Sequence, residues 1–152
     1  MVREGWEQVV IQVLPSPQPV RYVFEVASRG PIFNGAAGQA ILAHLPIEDV
    51  QRLVAEAGLA PQTDNSIAST GQLYEKLESI REQGFGVSFG ERIPDTAATA
   101  APVFGAGGEV KAALSILMPL SRATDRHIEE CAGAAVKAAR QVSIELKNYQ
   151  VS

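Results

Sequence analysis

The chain has 152 residues, a formal net charge of −4, 46% apolar and 20% charged residues, and one cysteine, Cys131. That is the composition of a globular protein with a single sizeable core; it excludes intrachain disulfides, a cysteine-built zinc site and a basic surface that would grip nucleic-acid phosphates. No apolar run approaches the ~20 residues of a membrane helix, and "MVREGWEQVV" has no signal-peptide core, so the cytoplasm is the expected compartment.

Residues 7–14, "EQVVIQVL", and 19–28, "PVRYVFEVAS", read as an antiparallel pair of strands, with Val20, Tyr22, Phe24 and Val26 on one face and the intervening prolines in the turn. "FNGAAGQAILAHL" begins a helix with Asn34 as N-cap and Gly35 to Gly38 as its first turn. In "LPIEDVQRLVAEAG", Pro46 suits the first helical position, Val50, Leu53, Val54 and Ala57 form the buried stripe, and Gly58 is the stop. Residues 59–68 are a polar surface connection. "STGQLYEKLESIREQG" carries Ser69 and Gln72 at capping-box spacing, with Leu73, Leu77 and Ile80 inward and Gly84 past the end.

"FGVSFGE" reads as a short strand and "IPDTAATAAPVFGAGGEVKAALSIL" as a hairpin turned through "GAGG". Thr124 then caps a long helix whose inward face is Ile128, Cys131, Ala135, Ala139, Val142 and Leu146. The order β-β-α-α-α-β-β-β-α, with hairpin connections, predicts one α+β domain over 1–152, a mainly antiparallel sheet with helices packed on its faces.

The first arm of the hairpin is almost all Thr and Ala. Because cores are filled to close-packed density, side chains that small leave room for either a closely packed helix or a ligand. The nearby "NGAAG" helix start would expose unpaired amides and a partial positive charge, a setting suited to a carboxylate. Catalytic signals are absent. His44 and His127 read as helix-end and helix-surface residues, Cys131 as a small buried hydrophobe, "GAGG" and "GAAG" lack the context of a phosphate loop, and "GVSFGE" lacks nucleophile-elbow spacing. No catalytic residue, metal site or cofactor is expected.

"PIFNGAAGQAILAHLPIEDV", together with "YEKLESIREQGFGVSFGERIPDTAATAAPVFGAGGEVKAALSILMP", resembles the C-terminal effector-binding domain of the IclR family of bacterial transcriptional regulators. The similarity spans residues 7 to 147 and is clearest in A-A-P-V-F and the Gly-rich turn into A-L-S-I-L. The resemblance implies a GAF-like fold whose cavity binds small organic or aromatic acids, in a homodimer or tetramer. DNA would be contacted only through a separate helix-turn-helix domain, which is not in this chain, and the N-terminal part of the family domain is expected to be cut short here.

By the same resemblance the ligand-binding positions are Phe33, Asn34, Ala36, Ala37, Ser88, Ala98, Ser115 and Leu117, with Met118 beside them. Phe33 stands for the common His, Gln39 for Lys, Ser88 for a frequent Asp, Ala97 and Ala98 for Arg and Cys, and Met118 for Gly. These departures predict a less polar cavity, suited to an apolar or aromatic acid rather than a two-carbon keto acid. The reading is a non-enzymatic sensor of a carboxylate effector; the alternative is a module of the same fold that binds nothing and serves dimerisation.

Overall fold

A computed structural model describes residues 1–151 of the chain. Six strands, β1 (Val2–Glu4), β2 (Glu7–Val9), β3 (Arg29–Pro31), β4 (Gly86–Phe89), β5 (Thr96–Phe104) and β6 (Val110–Pro119), form one antiparallel sheet in the order β3-β2-β1-β6-β5-β4. Four helices accompany it, α1 (Ala36–Leu42), α2 (Ile47–Ala57), α3 (Thr70–Gln83) and α4 (Asp125–Val151). The α+β class and the sheet with helices on its faces are as expected.

The helix signals act as the sequence suggests at α3. Ser69 Oγ accepts the Gln72 amide, Gln72 Oε1 accepts the Ala68 amide, and Gly84 ends the helix in the left-handed region at φ 85°. Thr124 Oγ1 likewise accepts the amide of His127 at the start of α4. At α2 the cap falls on Pro46 itself, so the helix begins one residue later than expected, and Gly58 closes it at φ 67°.

The second expected strand is wrong. Residues 11–28 carry no strand, and the partner of β2 is Arg29–Pro31. The ladder persists for one more exchange, Val10 amide to Ser28 carbonyl and Ala27 amide to Val10 carbonyl, and then Ala27, at φ 71°, turns the chain out of extended geometry. Three prolines at 15, 17 and 19 supply no donors to a ladder. The alternation in 20–26 therefore buries nothing: Val20, Val23 and Val26 are exposed, and only Phe24 turns inward. β1 has no counterpart among the expected strands.

The small-residue arm, β5, is covered on both faces. Ala98 and Ala100 join Ala36, Ala37 and Ala40 of α1 in the main core, which also holds Phe33, Ile41, Leu73, Leu77 and Ile80. On the other face Ala101 and Val103 pack on Ala135 and Ala139 of α4. Small side chains on strand and helix alike let the helices approach closely, and this fills most of the space that the sequence leaves open. The inward stripe of α4 is consequently Ala132, Ala135, Ala139 and Ser143; Val142 is exposed, while Ile128, Cys131 and Leu146 lie at the flanks. Ser143 is central because its Oγ accepts the Phe104 amide at 2.9 Å and donates to the Ala139 carbonyl, tying the end of β5 to α4.

Candidate functional site

A recess remains where the start of α1 faces the sheet. Its floor is set by strand register: Ser88, Ala98 and Leu117 are cross-strand partners in one row, and Ala100 and Ser115 form the next. Alternation puts Ala98 and Leu117 on the α1 side and their neighbours Ala97 and Met118 on the α4 side. Met118 therefore does not line the recess, contrary to expectation. Asn34, Ala36 and Ala37 form the wall above Ser88, Ala98, Ser115 and Leu117, so seven of the eight residues named from the sequence border one space. Phe33 is the exception, fully buried in the main core.

The start of α1 is capped differently from expectation. Gly35, at φ 84°, is the N-cap, and it contributes no side chain. Asn34 instead donates through Nδ2 to the Ala60 carbonyl. The cap comes from distant residues: Ser88 Oγ accepts the Ala36 amide at 3.0 Å, and Glu91 Oε2 accepts the Gly35 amide at 3.1 Å. Only Ala37, of the two amides expected to be free, has no acceptor among the described residues. Gly38 is required here for steric reasons, because a Cβ would lie 2.1 Å from the Ile32 carbonyl oxygen.

Glu91 is the centre of a buried polar group. Its carboxylate also accepts from Gln39 Nε2, and Lys76 Nζ approaches to 3.9 Å. Gln39 thus serves the core rather than the recess, and its Oε1 is buried without a hydrogen-bond partner among the described residues. Gln8, on β2, donates to the carbonyls of Pro31 and Asn34 and holds the approach to α1.

Sequence reasoning missed Phe24, Arg92 and Thr96, which also border the recess. Arg92 lies in the turn between β4 and β5 with its guanidinium 4.5 Å from the Phe24 ring centroid. Thr96 belongs to the small-residue arm and was legible by alternation with Ala98. Nothing local to "GERIPD" or "YVFEV" marks Arg92 or Phe24, since their meeting depends on the path of residues 11–28. With these side chains in place the recess encloses about 30 Å³, the share of one water molecule.

The histidines lie elsewhere. His44 Nδ1 is 3.0 Å from the Ala40 carbonyl and its ring meets Phe104 edge-on, while His127 lies 3.8 Å from Cys131 Sγ. Neither hydrogen-bonds Ser88 or Ser115. Burial, and then the Glu130 charge, push the Cys131 thiol above its ordinary value, away from a reactive thiolate.

Residues 1–144 match the family described as bacterial transcriptional regulator IclR, C-terminal. The chain belongs to the IclR family. It is 32% identical over 147 residues to the transcriptional repressor AllR of Escherichia coli K12, covering 95% of this chain and 54% of AllR. The IclR of Thermotoga maritima superimposes with a TM-score of 0.90 at 26% identity, over 95% of this chain and 59% of that one. A double mutant of the PobR inducer-binding domain from Acinetobacter, solved with 3-hydroxybenzoic acid, has the same fold, with a TM-score of 0.82 at 22% identity over 93% of this chain and 84% of that one. The chain spans about half the length of the curated relatives it matches. Those relatives are transcriptional regulators, not enzymes. No helix among the described residues is long and apolar enough to cross a membrane.

Proposed function

We propose that this IclR-family domain senses a small carboxylic acid in the recess between α1 and the β5–β6 hairpin. The observation that carries the reading is that Ala36, Ala37, Ser88, Ala98, Ser115 and Leu117, drawn from four separate elements, border one space at the start of a helix. The Ala37 amide receives the acid, Ser115 supplies a neutral hydrogen bond, and Ala98 and Leu117 contact the apolar body. Ser88, already bonded to the Ala36 amide, positions the helix start. In a whole regulator of this kind the ligand's preference for one arrangement of the domain would shift DNA binding by an attached helix-turn-helix domain in a cytoplasmic homodimer or tetramer.

An organic acid needs far more than about 30 Å³, so binding requires the cover over the recess to move. The PobR complex supports an aromatic acid as a candidate, since a domain of this fold holds one. The departures at Phe33, Gln39, Ala97 and Met118 lie outside the recess and do not make it less polar; that expectation now rests on Ser88 and Ala98 alone. Calorimetric titration with aromatic acids and with two-carbon keto acids decides the class. Tight binding of only the keto acids contradicts the aromatic preference.

The nearly filled recess favours one second reading, a module of the same fold that binds nothing and serves dimerisation. A thermal-shift screen over a broad acid library separates the two, because a ligand bound only by the folded state raises the melting temperature.

A further inference from the structure

We propose that Arg92 is the anchor for the effector's carboxylate, a role that rests on the acid-binding reading above. Arg92 borders the recess from the turn after β4, and that turn is held firmly. Thr63 Oγ1 donates to the Gly90 carbonyl and Ser66 Oγ to the Glu91 carbonyl, each at 2.6 Å. The guanidinium lies over the Phe24 ring, and a Cβ on Gly30 would meet Nη2 at 2.9 Å. It is wedged between an aromatic ring and bare backbone.

What this positioned cation lacks is an acceptor. Nη1 is buried and has no hydrogen-bond partner among the described residues. No acidic side chain among the described residues forms an ion pair with Arg92. The adjacent carboxylate, Glu91, is committed to Gly35 and Gln39, with Lys76 alongside. Partial burial lowers the Arg92 pKa below its ordinary value, and an arginine stays protonated regardless. A desolvated donor without a partner is unfavourable until an acceptor arrives, and a carboxylate presents two oxygens in the geometry of the guanidinium fork. A carboxamide of the same shape would set an NH₂ against that donor.

Phe24 gives the cover its chemistry. It belongs to the strandless stretch 11–28, so it is the part of the wall least tied to the sheet, and its ring offers a flat face to a planar acid. An incoming carboxylate takes Arg92 and leaves Phe24 to pack on the ligand body. The ligand class is a planar monocarboxylic acid.

The test compares benzoate with benzamide, by calorimetry and thermal shift, on the wild-type chain and on Arg92→Met, Arg92→Lys and Ala37→Leu variants. Benzoate is expected to bind the wild type, with benzamide weaker by about tenfold or more, and Arg92→Met to lose about tenfold or more in benzoate affinity, with Arg92→Lys between them. Without ligand, Arg92→Met should melt at or above the wild-type temperature, because it removes an unpartnered charge while keeping the stem. Benzoate binding that Ala37→Leu abolishes and Arg92→Met leaves unchanged overturns the Arg92 role and spares the recess. A ligand-free Arg92→Met protein melting more than about 5 °C below wild type makes the guanidinium a structural plug and also overturns it. If neither benzoate nor any acid of an aliphatic and aromatic panel binds the wild type, the acid-binding reading itself falls, and this role with it.

Discussion

The Glu91 carboxylate accepts the Gly35 amide across 56 positions of sequence, so a residue in the turn after β4 caps the start of α1. The same carboxylate holds Gln39, one turn further along the helix. Replacing Glu91 with Ala leaves the Gly35 amide buried and unpaired and removes one of the two acceptors of Gln39 Nε2, which keeps the Phe33 carbonyl, so stability should fall by about 2 kcal/mol. Glu91→Gln should cost less, since its amide oxygen still accepts. Urea unfolding midpoints of the two variants check the order.

Gly38 and the Ile32 carbonyl are in direct backbone opposition, at 2.1 Å from any added Cβ. The carbonyl belongs to backbone and cannot swing aside as a side chain would. Gly38→Ala is expected to destabilise by about 3 kcal/mol, at the upper end of overpacking changes. A melting temperature within a degree of wild type would show that α1 can slide away from residue 32.

Thr99 is fully buried on the α4 side of β5, and its hydroxyl has no hydrogen-bond partner among the described residues. Thr99→Val keeps the shape and removes the unpaired group, so it should stabilise the fold by about 1 kcal/mol. Denaturant unfolding reads the sign directly.

Ala37 is buried at the recess wall, and its amide has no acceptor among the described residues. Ala37→Leu should abolish acid binding while leaving the far-ultraviolet circular dichroism unchanged. Unaltered affinity in that variant would remove the proposed site.

Cys131 has its thiol pKa raised by burial and by the Glu130 charge, so it is protonated at pH 7. Alkylation by iodoacetamide should be slow at neutral pH and accelerate as pH rises through the thiol range, because only the thiolate reacts. Glu130→Gln removes the smaller cause and should speed labelling modestly at pH 8.

Elements governed by local rules were legible. The box of Ser69 and Gln72, the stops at Gly58 and Gly84 and the Thr124 cap all depend on groups within four residues of each other, and all form as expected. The expected strand at 19–28 failed because alternation reports only that a strand would have two unlike faces; it does not supply a hydrogen-bonding neighbour, and Ala27 turns the chain before one is met. Asn34 failed as a cap for a related reason. It stands one residue before the observed N-cap, Gly35, and the donors at the helix start are taken by the hydroxyl of Ser88 and the carboxylate of Glu91.

The same division holds for the recess. Small side chains on β5 and the start of α1, and the pairing of Ser115 with Leu117 on one face, were present in the order of residues, because strand periodicity is a local property. How much of that space stays open was decided by tertiary packing, since α1 closes on the alanines of one face of β5 and Phe24 and Arg92 cover the rest, leaving about 30 Å³. The presence of a cation was likewise a tertiary outcome: Arg92 meets Phe24 and Gly30 only because residues separated by more than sixty positions, beside the two opposite edge strands β4 and β3, are brought together by the curl of the sheet. Local spacing sets which face a side chain takes; the long-range closure of the chain sets what it meets there.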